Sequence, residues 1–238
     1  MKSRKSDIYN LNQPLSPVFD KKFNLLKMRK QKVIKGVNIN ERIVEIPFVL
    51  ENLHMAGEGR LNILELGCME SILPIMLAST GHKVCGIDIR NYPYTHPELD
   101  FLRGDICRLP FRDRVFDAVI AVSVIEHLGL GAYGDSVYQS GDLAAIEKIY
   151  DCLKVNGLFF LTIPFGVSSL NKKQRVYNSD SIIKLLGKRF TIKKSIFSVM
   201  DKSYKGNPVW EITSLEKAEK IASPDKTNAV ALYIVQKA

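Results

Sequence analysis

The spacing of apolar residues changes between two periods in the first part of the chain. Asn62–Leu66 is a short, mainly apolar run that ends at Gly67, and residues 72–79 carry apolar side chains at helical spacing. Residues 82–87 are mainly apolar again and are followed by Asp88. This pattern predicts a strand, a turn, a helix and a second strand, with the turn and Asp88 at one edge of a parallel sheet.

The remaining chain continues this alternation of strands and helices. Residues 116–123 are apolar nearly throughout, which is typical of a central parallel strand covered on both faces. Asp142 and Ser179 each precede apolar residues at helical spacing, so both are predicted helix caps. Trp210 and Glu211 fall in a polar, lysine-rich stretch that is predicted to be an insertion near the functional site. The other predicted strands are residues 100–103, 158–163, 190–200 and 229–235.

The turn after the first predicted strand carries two acids and a single glycine. Its sequence is Glu65-Leu66-Gly67-Cys68-Met69-Glu70-Ser71. A dinucleotide fold needs several glycines here, because the pyrophosphate must approach bare backbone amides at a helix N-terminus. The two acids would repel a pyrophosphate but suit the cationic amino group of a phosphate-free ligand that carries a methionine moiety. Asp88 can accept hydrogen bonds from both ribose hydroxyls, and S-adenosylmethionine meets all of these conditions.

Five segments resemble the class I S-adenosylmethionine-dependent methyltransferases in order and spacing. They are residues 65–71, 104–111, 116–123, Ile125–His127 and 153–157. The resemblance implies an α/β fold with a Rossmann-like, seven-stranded, mostly parallel sheet, helices on both faces and an antiparallel last strand. Met69 and Ser71 depart from the family pattern, which usually has glycine at both positions.

The resemblance also implies which residues bind the cofactor. Asp88 is expected to hold the ribose, and Asp105 and Ile106 the adenine, although Asp105 could instead cap a short helical turn. The residues expected to contact S-adenosylmethionine are Glu65, Gly67, Cys68, Asp88, Ile89, Asp105, Ile106 and Ser123.

The catalytic candidates follow the strand at residues 116–123. His127 is the preferred general base, since its unperturbed pKa of about 6.5 suits proton transfer at neutral pH. Glu126 and Asp135 are the alternatives, and a structural His127 that only shapes the pocket remains open. Asp135 lies in a glycine-rich loop, residues 129–135, that can close over a substrate. Arg175 or Tyr177 could meet an anionic substrate or form a surface ion pair.

Charge and composition divide the chain. The 238 residues are 46% apolar and 25% charged, ordinary values for one folded domain with a full core. Residues 1–40 hold ten Lys or Arg and two Asp, so they carry +8 of the net charge of +9. Residues 1–35 are predicted to be a basic mobile arm, either a solvated tail or a contact for a phosphate-bearing substrate or membrane surface.

Residues 36–238 are predicted to form a single methyltransferase domain. An N-terminal covering helix at 36–60 precedes a cofactor-binding core at 61–165 and a C-terminal, substrate-side part at 166–238. The four cysteines are scattered and lack ligand spacing with the four histidines, so no metal site is expected and the chain is expected to be cytoplasmic. No apolar run approaches the ~20 residues of a membrane span.

The expected activity is methyl transfer to a small-molecule or saccharide-linked acceptor. The saccharide alternative comes from residues 126–135, which resemble a methyltransferase subgroup associated with cell-surface saccharide biosynthesis. RNA methylation through the basic arm is a less favoured alternative. A cofactor-binding partner protein without catalytic activity is another, suggested by Met69 and Ser71.

Overall fold

The computed structural model describes residues 40–138, 140–201, 209–223 and 226–238, so the predicted arm at 1–35 lies outside the described residues. The α-helices are α1 (Arg42–Asn52), α2 (Leu73–Ser79), α3 (Gly141–Cys152), α4 (Ser179–Leu186) and α5 (Leu215–Glu219). The strands are β1 (Asn62–Leu66), β2 (Lys83–Asp88), β3 (Leu99–Arg103), β4 (Phe116–Val122), β5 (Leu153–Pro164), β6 (Ser169–Leu170), β7 (Arg175–Val176), β8 (Phe190–Asp201), β9 (Val209–Thr213) and β10 (Ala229–Lys237).

Eight strands form one mostly parallel sheet in the order β3-β2-β1-β4-β5-β10-β8-β9. Strands β1 to β5 run parallel, and β10 pairs antiparallel with both β5 and β8. The strand order reverses between β1 and β4, because β2 and β3 lie on one side of β1 while β4 and β5 lie on the other. Ligands of open α/β sheets bind beyond the carboxyl ends of the strands at such a reversal.

Helices cover both faces of this sheet, as predicted. Alternate residues of β4 point to opposite faces, so Ala118 and Ile120 pack in a core with α1 and α2, while Val119 and Ala121 pack in a second core with α3 and α4. This two-sided burial explains the nearly continuous apolar sequence of β4. No helix in the described ranges has the length and apolar character needed to cross a bilayer.

The structure corrects the strand count and the role of Trp210 and Glu211. These residues lie in β9, an eighth strand that pairs antiparallel with β8 at the outer edge of the sheet. The sequence pattern missed β9 because an edge strand exposes much of its length to solvent and therefore tolerates polar residues. Trp210 and Glu211 do not line the cavity described below, so their predicted place beside the functional site was wrong, although Thr227 from the same stretch does line it.

Two predicted helix caps were also wrong. Helix α3 begins at Gly141, and no side-chain oxygen caps it. Asp142 lies inside the first turn, where Oδ1 accepts a hydrogen bond from the Leu143 amide at 3.0 Å and Oδ2 accepts one from the Tyr177 hydroxyl at 2.9 Å. Helix α4 is capped by Asn178, one residue before Ser179, in a capping box with Ser181.

Candidate active site

A cavity opens at the carboxyl edge of the sheet, where β1 and β4 end. It encloses about 980 Å³ including the space at its mouth. Nine of the predicted site residues line it: Gly67, Asp88, Ile89, Asp105, Ile106, Ser123, Glu126, His127 and Asp135. The other lining residues are Asn40, Glu41, Arg42, Glu70, Arg90, Val124, Leu128, Tyr133, Gln174 and Thr227.

Glu65 and Cys68 were predicted to contact the cofactor, but neither residue lines the cavity. Cys68 is fully buried beneath the turn, where a Cβ atom added to Gly86 would lie 2.8 Å from its sulfur. Glu65 is 1% exposed, and burial raises the pKa of its carboxyl to about 8. The two side chains lie behind the turn, and their predicted contacts with a cofactor stay predictions.

Gly67 lines the cavity directly after β1. Its φ of 67° lies in the left-handed region that favours glycine, and its amide donates a 2.8 Å hydrogen bond to the Ile87 carbonyl. A Cβ atom at this position would lie 2.4 Å from Cγ2 of Val124. Glycine is therefore required for both the conformation of the turn and its packing against the segment after β4.

Asp88 ties the end of β2 to this turn. Its Oδ2 accepts a hydrogen bond from the Met69 amide at 3.0 Å, and its Oδ1 accepts one from the Arg90 amide at 2.9 Å. The Ser71 hydroxyl accepts a hydrogen bond from the Leu73 amide at 3.0 Å, at the start of α2. Met69 and Ser71 thus stabilise the turn by hydrogen bonds, although both positions depart from the glycine pattern of the family.

Asp105 combines a structural contact with a place at the cavity wall. Its Oδ1 accepts a hydrogen bond from the Cys107 amide at 2.9 Å and caps the 3-10 helix Ile106–Arg108. The capping role considered from the sequence is therefore present, and the carboxylate retains further lone pairs with which it could accept a ligand donor. Its contact with adenine stays a prediction.

Ser123 occupies a strained position directly after β4. Its φ is 49°, an uncommon value for a residue other than glycine, and such strain concentrates at functional sites. Its amide donates to the hydroxyl of Thr162 at 3.0 Å, and its own hydroxyl donates to Oε1 of Glu45 at 2.6 Å. Glu45 lies in α1, so this buried contact attaches the N-terminal helix to the wall of the cavity.

Glu45→Gln is expected to remove part of the pH dependence of stability. Burial raises the pKa of Glu45 from 4.5 to about 7, so the folded state holds a proton that the unfolded state releases near 4.5. The free energy of unfolding therefore falls as pH rises through this window. Urea unfolding should find the variant more stable than wild type by about 1–3 kcal/mol at pH 8 and equal to it at pH 4.5.

Glu51→Gln is the matched control, because Glu51 lies on the same helix with its side chain exposed. This variant should follow the wild-type pH profile. An unchanged profile in Glu45→Gln would contradict a protonated Glu45 in the folded state.

His127 and Glu126 form a buried pair at the cavity wall. The Nδ1 atom of His127 lies 2.6 Å from the Lys173 carbonyl oxygen, which can only accept, so Nδ1 carries the hydrogen. In the neutral ring Nε2 then carries the lone pair, and it lies 3.6 Å from Oε1 of Glu126. Burial lowers the pKa of His127 and raises that of Glu126 well above its ordinary value. Both shifts favour the uncharged forms at neutral pH.

Asp135 organises the glycine-rich loop. Its carboxylate accepts hydrogen bonds from the amides of Gly129 at 2.8 Å and of Gly131 and Tyr133 at 3.3 Å. The Tyr133 ring lies edge-on to His127, with their centroids 5.1 Å apart. These contacts give Asp135 a structural use in the loop, and its role as an alternative base stays a prediction.

Sequence reasoning missed the part of the site that comes from distant segments. Asn40, Glu41 and Arg42 line the cavity from the start of α1, and Gln174 and Thr227 line it from the C-terminal part. The apolar spacing of residues 39–55 identified a covering helix but carried no signal about which end of it meets the site. Glu70 was one of the two acids noted in the turn after the first predicted strand, and Arg90, which forms a 2.7 Å ion pair with it, follows a predicted strand end and could have been found by position.

Comparisons with known proteins agree with this architecture. A family model described as "Caenorhabditis protein of unknown function" (DUF268) matches residues 111–198. A protein of Mycolicibacterium smegmatis, described as a probable S-adenosylmethionine-dependent methyltransferase, is 26% identical over 121 residues, which are 49% of this chain and 42% of that protein. The chain thus spans less than half the length of this curated relative.

Two solved structures share the fold. A SAM-dependent methyltransferase of Methanosarcina mazei aligns with a TM-score of 0.54 and 16% identity over 78% of this chain and 96% of its own. The 1,6-didemethyltoxoflavin-N1-methyltransferase of Burkholderia thailandensis, solved with its substrate and S-adenosylhomocysteine, aligns with a TM-score of 0.56 and 13% identity over 96% of this chain and 93% of its own. The resemblance inferred from five motifs is therefore confirmed, and this chain has the fold of the class I S-adenosylmethionine-dependent methyltransferases.

Proposed function

We propose that this protein transfers a methyl group from S-adenosylmethionine to a small-molecule or saccharide-linked acceptor. The observation that carries the proposal is the charge of the cavity at the carboxyl edge of the sheet. Among its described lining residues, six are acids and two are arginines, and five of the acids remain when the uncharged Glu126 is left out. Arg90 is paired with Glu70 and Asp88, so the walls favour a cationic, phosphate-free ligand.

The residues of the cavity fit S-adenosylmethionine in three respects. Gly67 brings bare backbone to the cavity wall at a position that no Cβ could occupy. Asp88 ends β2, where a carboxylate can accept hydrogen bonds from ribose hydroxyls, and Asp105 follows β3, where its carboxylate can accept from the adenine amino group. When bound, this cofactor would supply a methyl group on a positively charged sulfur, so that a nucleophilic atom of the acceptor can bond to the methyl carbon while the carbon–sulfur bond breaks and S-adenosylhomocysteine leaves.

His127 is the proposed general base for an acceptor that must lose a proton. Its Nε2 lone pair can take that proton, and the imidazolium then keeps its Nδ1 hydrogen bond to the Lys173 carbonyl. Burial lowers the pKa of His127, so the ring is uncharged and ready to accept a proton at neutral pH.

The acidic walls also bear on the alternatives. An RNA acceptor would bring phosphates toward Glu41 and Asp135, which would repel them. One observation still favours RNA methylation, which is the +8 charge of residues 1–40. Almost all of these residues lie outside the described part of the chain. A non-catalytic partner protein is less well supported, since Met69 and Ser71 are accommodated in the turn by hydrogen bonds.

We expect S-adenosylmethionine and S-adenosylhomocysteine to bind the full chain with micromolar dissociation constants in titration calorimetry, while NAD produces no binding heat. NAD serves as the matched control, because it shares the adenosine moiety but carries the pyrophosphate that the acidic walls would repel. Tight binding of NAD without binding of either sulfur compound would refute the proposal.

Mass spectrometry after incubation with isotopically labelled S-adenosylmethionine would then separate the acceptor classes. Labelled small molecules or glycans support the proposal, and labelled RNA supports the alternative. RNA binding that weakens steeply with salt and is lost on deleting residues 1–35 would strengthen that alternative. Cofactor binding without transfer to any of these acceptors would favour the non-catalytic partner.

A further inference from the structure

A short hairpin of two strands, β6 and β7, borders the cavity from the C-terminal side. Its tip is held by Asn171, whose Oδ1 accepts hydrogen bonds from the amides of Lys173 at 2.7 Å and Gln174 at 2.9 Å. The Asn171 amide in turn donates to the Gln174 carbonyl at 3.1 Å. These bonds fix the direction of the Lys173 carbonyl, which would otherwise vary in a four-residue connection.

The hairpin contacts the turn that carries Glu126 and His127 through two sets of hydrogen bonds. At its tip, the Lys173 carbonyl accepts the Nδ1 hydrogen of His127 at 2.6 Å. At its base, Nη1 of Arg175 donates to the carbonyls of Leu128 at 2.8 Å and Glu126 at 3.3 Å. The side chain of His127 and the backbone on either side of it are thus held by one element.

Asp142 pairs with the guanidinium of Arg175. Its Nε lies 3.4 Å from Oδ2 of Asp142, and the same oxygen accepts the Tyr177 hydroxyl at 2.9 Å. The Arg175 and Asp142 side chains are only 12% and 13% exposed. A surface ion pair, one role considered from the sequence, does not describe this arrangement, and a contact with an anionic substrate stays a prediction. A guanidinium suits it because its planar fork can serve two carbonyls and a carboxylate at once.

We propose that Arg175 is a positioning residue and that the hairpin containing it sets the tautomer and placement of His127. The tautomer of a histidine follows from the hydrogen bond that its other nitrogen makes. With the Lys173 carbonyl at Nδ1, the lone pair is confined to Nε2, the nitrogen beside Glu126. The relevance of this tautomer to methyl transfer rests on the proposed function, but the tautomer itself does not.

Nitrogen-15 NMR of the full chain, labelled only at its four histidines, tests this inference directly. The spectrum of His127→Gln assigns the His127 signals by their disappearance. In the wild type, at a pH where the ring is neutral, the Nδ1–H form of His127 should exceed the Nε2–H form by at least about tenfold, as expected when only one tautomer can donate to the Lys173 carbonyl. An unconstrained neutral histidine prefers the opposite form.

Arg175→Lys should reduce this excess to about threefold or less, because an ammonium group is a point charge that cannot bridge the same partners. Arg189→Lys is the matched control, since Arg189 pairs with Glu147 at the surface and should leave the ratio unchanged. A second comparison uses the exposed hairpin tip, where folding is not at risk. Asn171→Ala should also lower the ratio, whereas Asn171→Asp, which keeps the accepting oxygen, should retain it.

A wild-type His127 that is mainly Nε2–H would overturn the inference. So would an unchanged tautomer ratio in Arg175→Lys and Asn171→Ala, or in Asn171→Ala alone if Arg175→Lys does not fold. Binding of S-adenosylhomocysteine, measured on the same samples, keeps the two proposals apart. A wild type that is mainly Nε2–H and still binds S-adenosylhomocysteine contradicts only this inference, while a wild type that is mainly Nδ1–H and does not bind contradicts only the proposed function.

Discussion

Gly67→Ala is expected to weaken the binding of S-adenosylhomocysteine by about a hundredfold, which corresponds to about 3 kcal/mol. The added Cβ would lie 2.4 Å from Cγ2 of Val124, so the turn or the segment after β4 must move. Either movement displaces backbone at the wall of the cavity. Titration calorimetry with S-adenosylhomocysteine measures the effect, and a thermal melt confirms that the variant is folded.

Gly59→Ala separates this clash from the general effect of replacing a left-handed glycine. Gly59 has a φ of 73°, close to the 67° of Gly67, but a Cβ there would meet nothing within 4 Å. Both variants should lose about 1 kcal/mol of stability from backbone strain. Only Gly67→Ala should lose affinity, and equal affinities in the two variants would mean that the cofactor does not approach the Gly67 turn.

Asp88→Ala is expected to reduce the affinity for S-adenosylhomocysteine by at least about a hundredfold, because a hydrogen bond to a charged group contributes about 1.5–3 kcal/mol and a ribose offers two hydroxyl donors. The change also frees the amides of Met69 and Arg90, which the carboxylate now accepts. Asp88→Asn keeps one accepting oxygen and should therefore fall between the alanine variant and the wild type in calorimetry.

Asp100→Ala is the control for the loss of a negative charge. Asp100 is exposed on β3 and does not line the cavity, so its removal should leave the affinity within about twofold of wild type. If Asp88→Ala bound as tightly as Asp100→Ala, the ribose would have to lie elsewhere.

The strand-turn-helix-strand unit at the centre of the fold was predictable because its signals are local. β1 was predicted with the bounds observed, and β2 is shifted by one residue at each end, because apolar runs and a breaking glycine depend only on neighbouring residues. Gly67 and Asp88 come directly after β1 and at the end of β2, so they meet at one edge in any parallel arrangement of these strands.

The errors share a different cause, which is competition from tertiary partners. Asp142 has the residue type of a helix cap, but it lies inside the first turn of α3, and its Oδ2 contacts Tyr177 and Arg175 while Oδ1 accepts from the Leu143 amide. Trp210 and Glu211 have polar neighbours in sequence, yet β8 supplies a strand edge for them to pair with. Local propensity cannot anticipate a partner that comes from another part of the chain.

The sequence by itself determined the class of fold, the edge of the sheet that holds the cavity and nine of the residues that line it, since periodicity and the residues at strand ends depend on local sequence. Only the tertiary structure decided how those residues are supported. Ser123 donates to Glu45, 78 positions away, and His127 to the Lys173 carbonyl, 46 positions away. A hydrogen bond between distant segments leaves no periodic trace, because its geometry exists only after the sheet and its connections have folded.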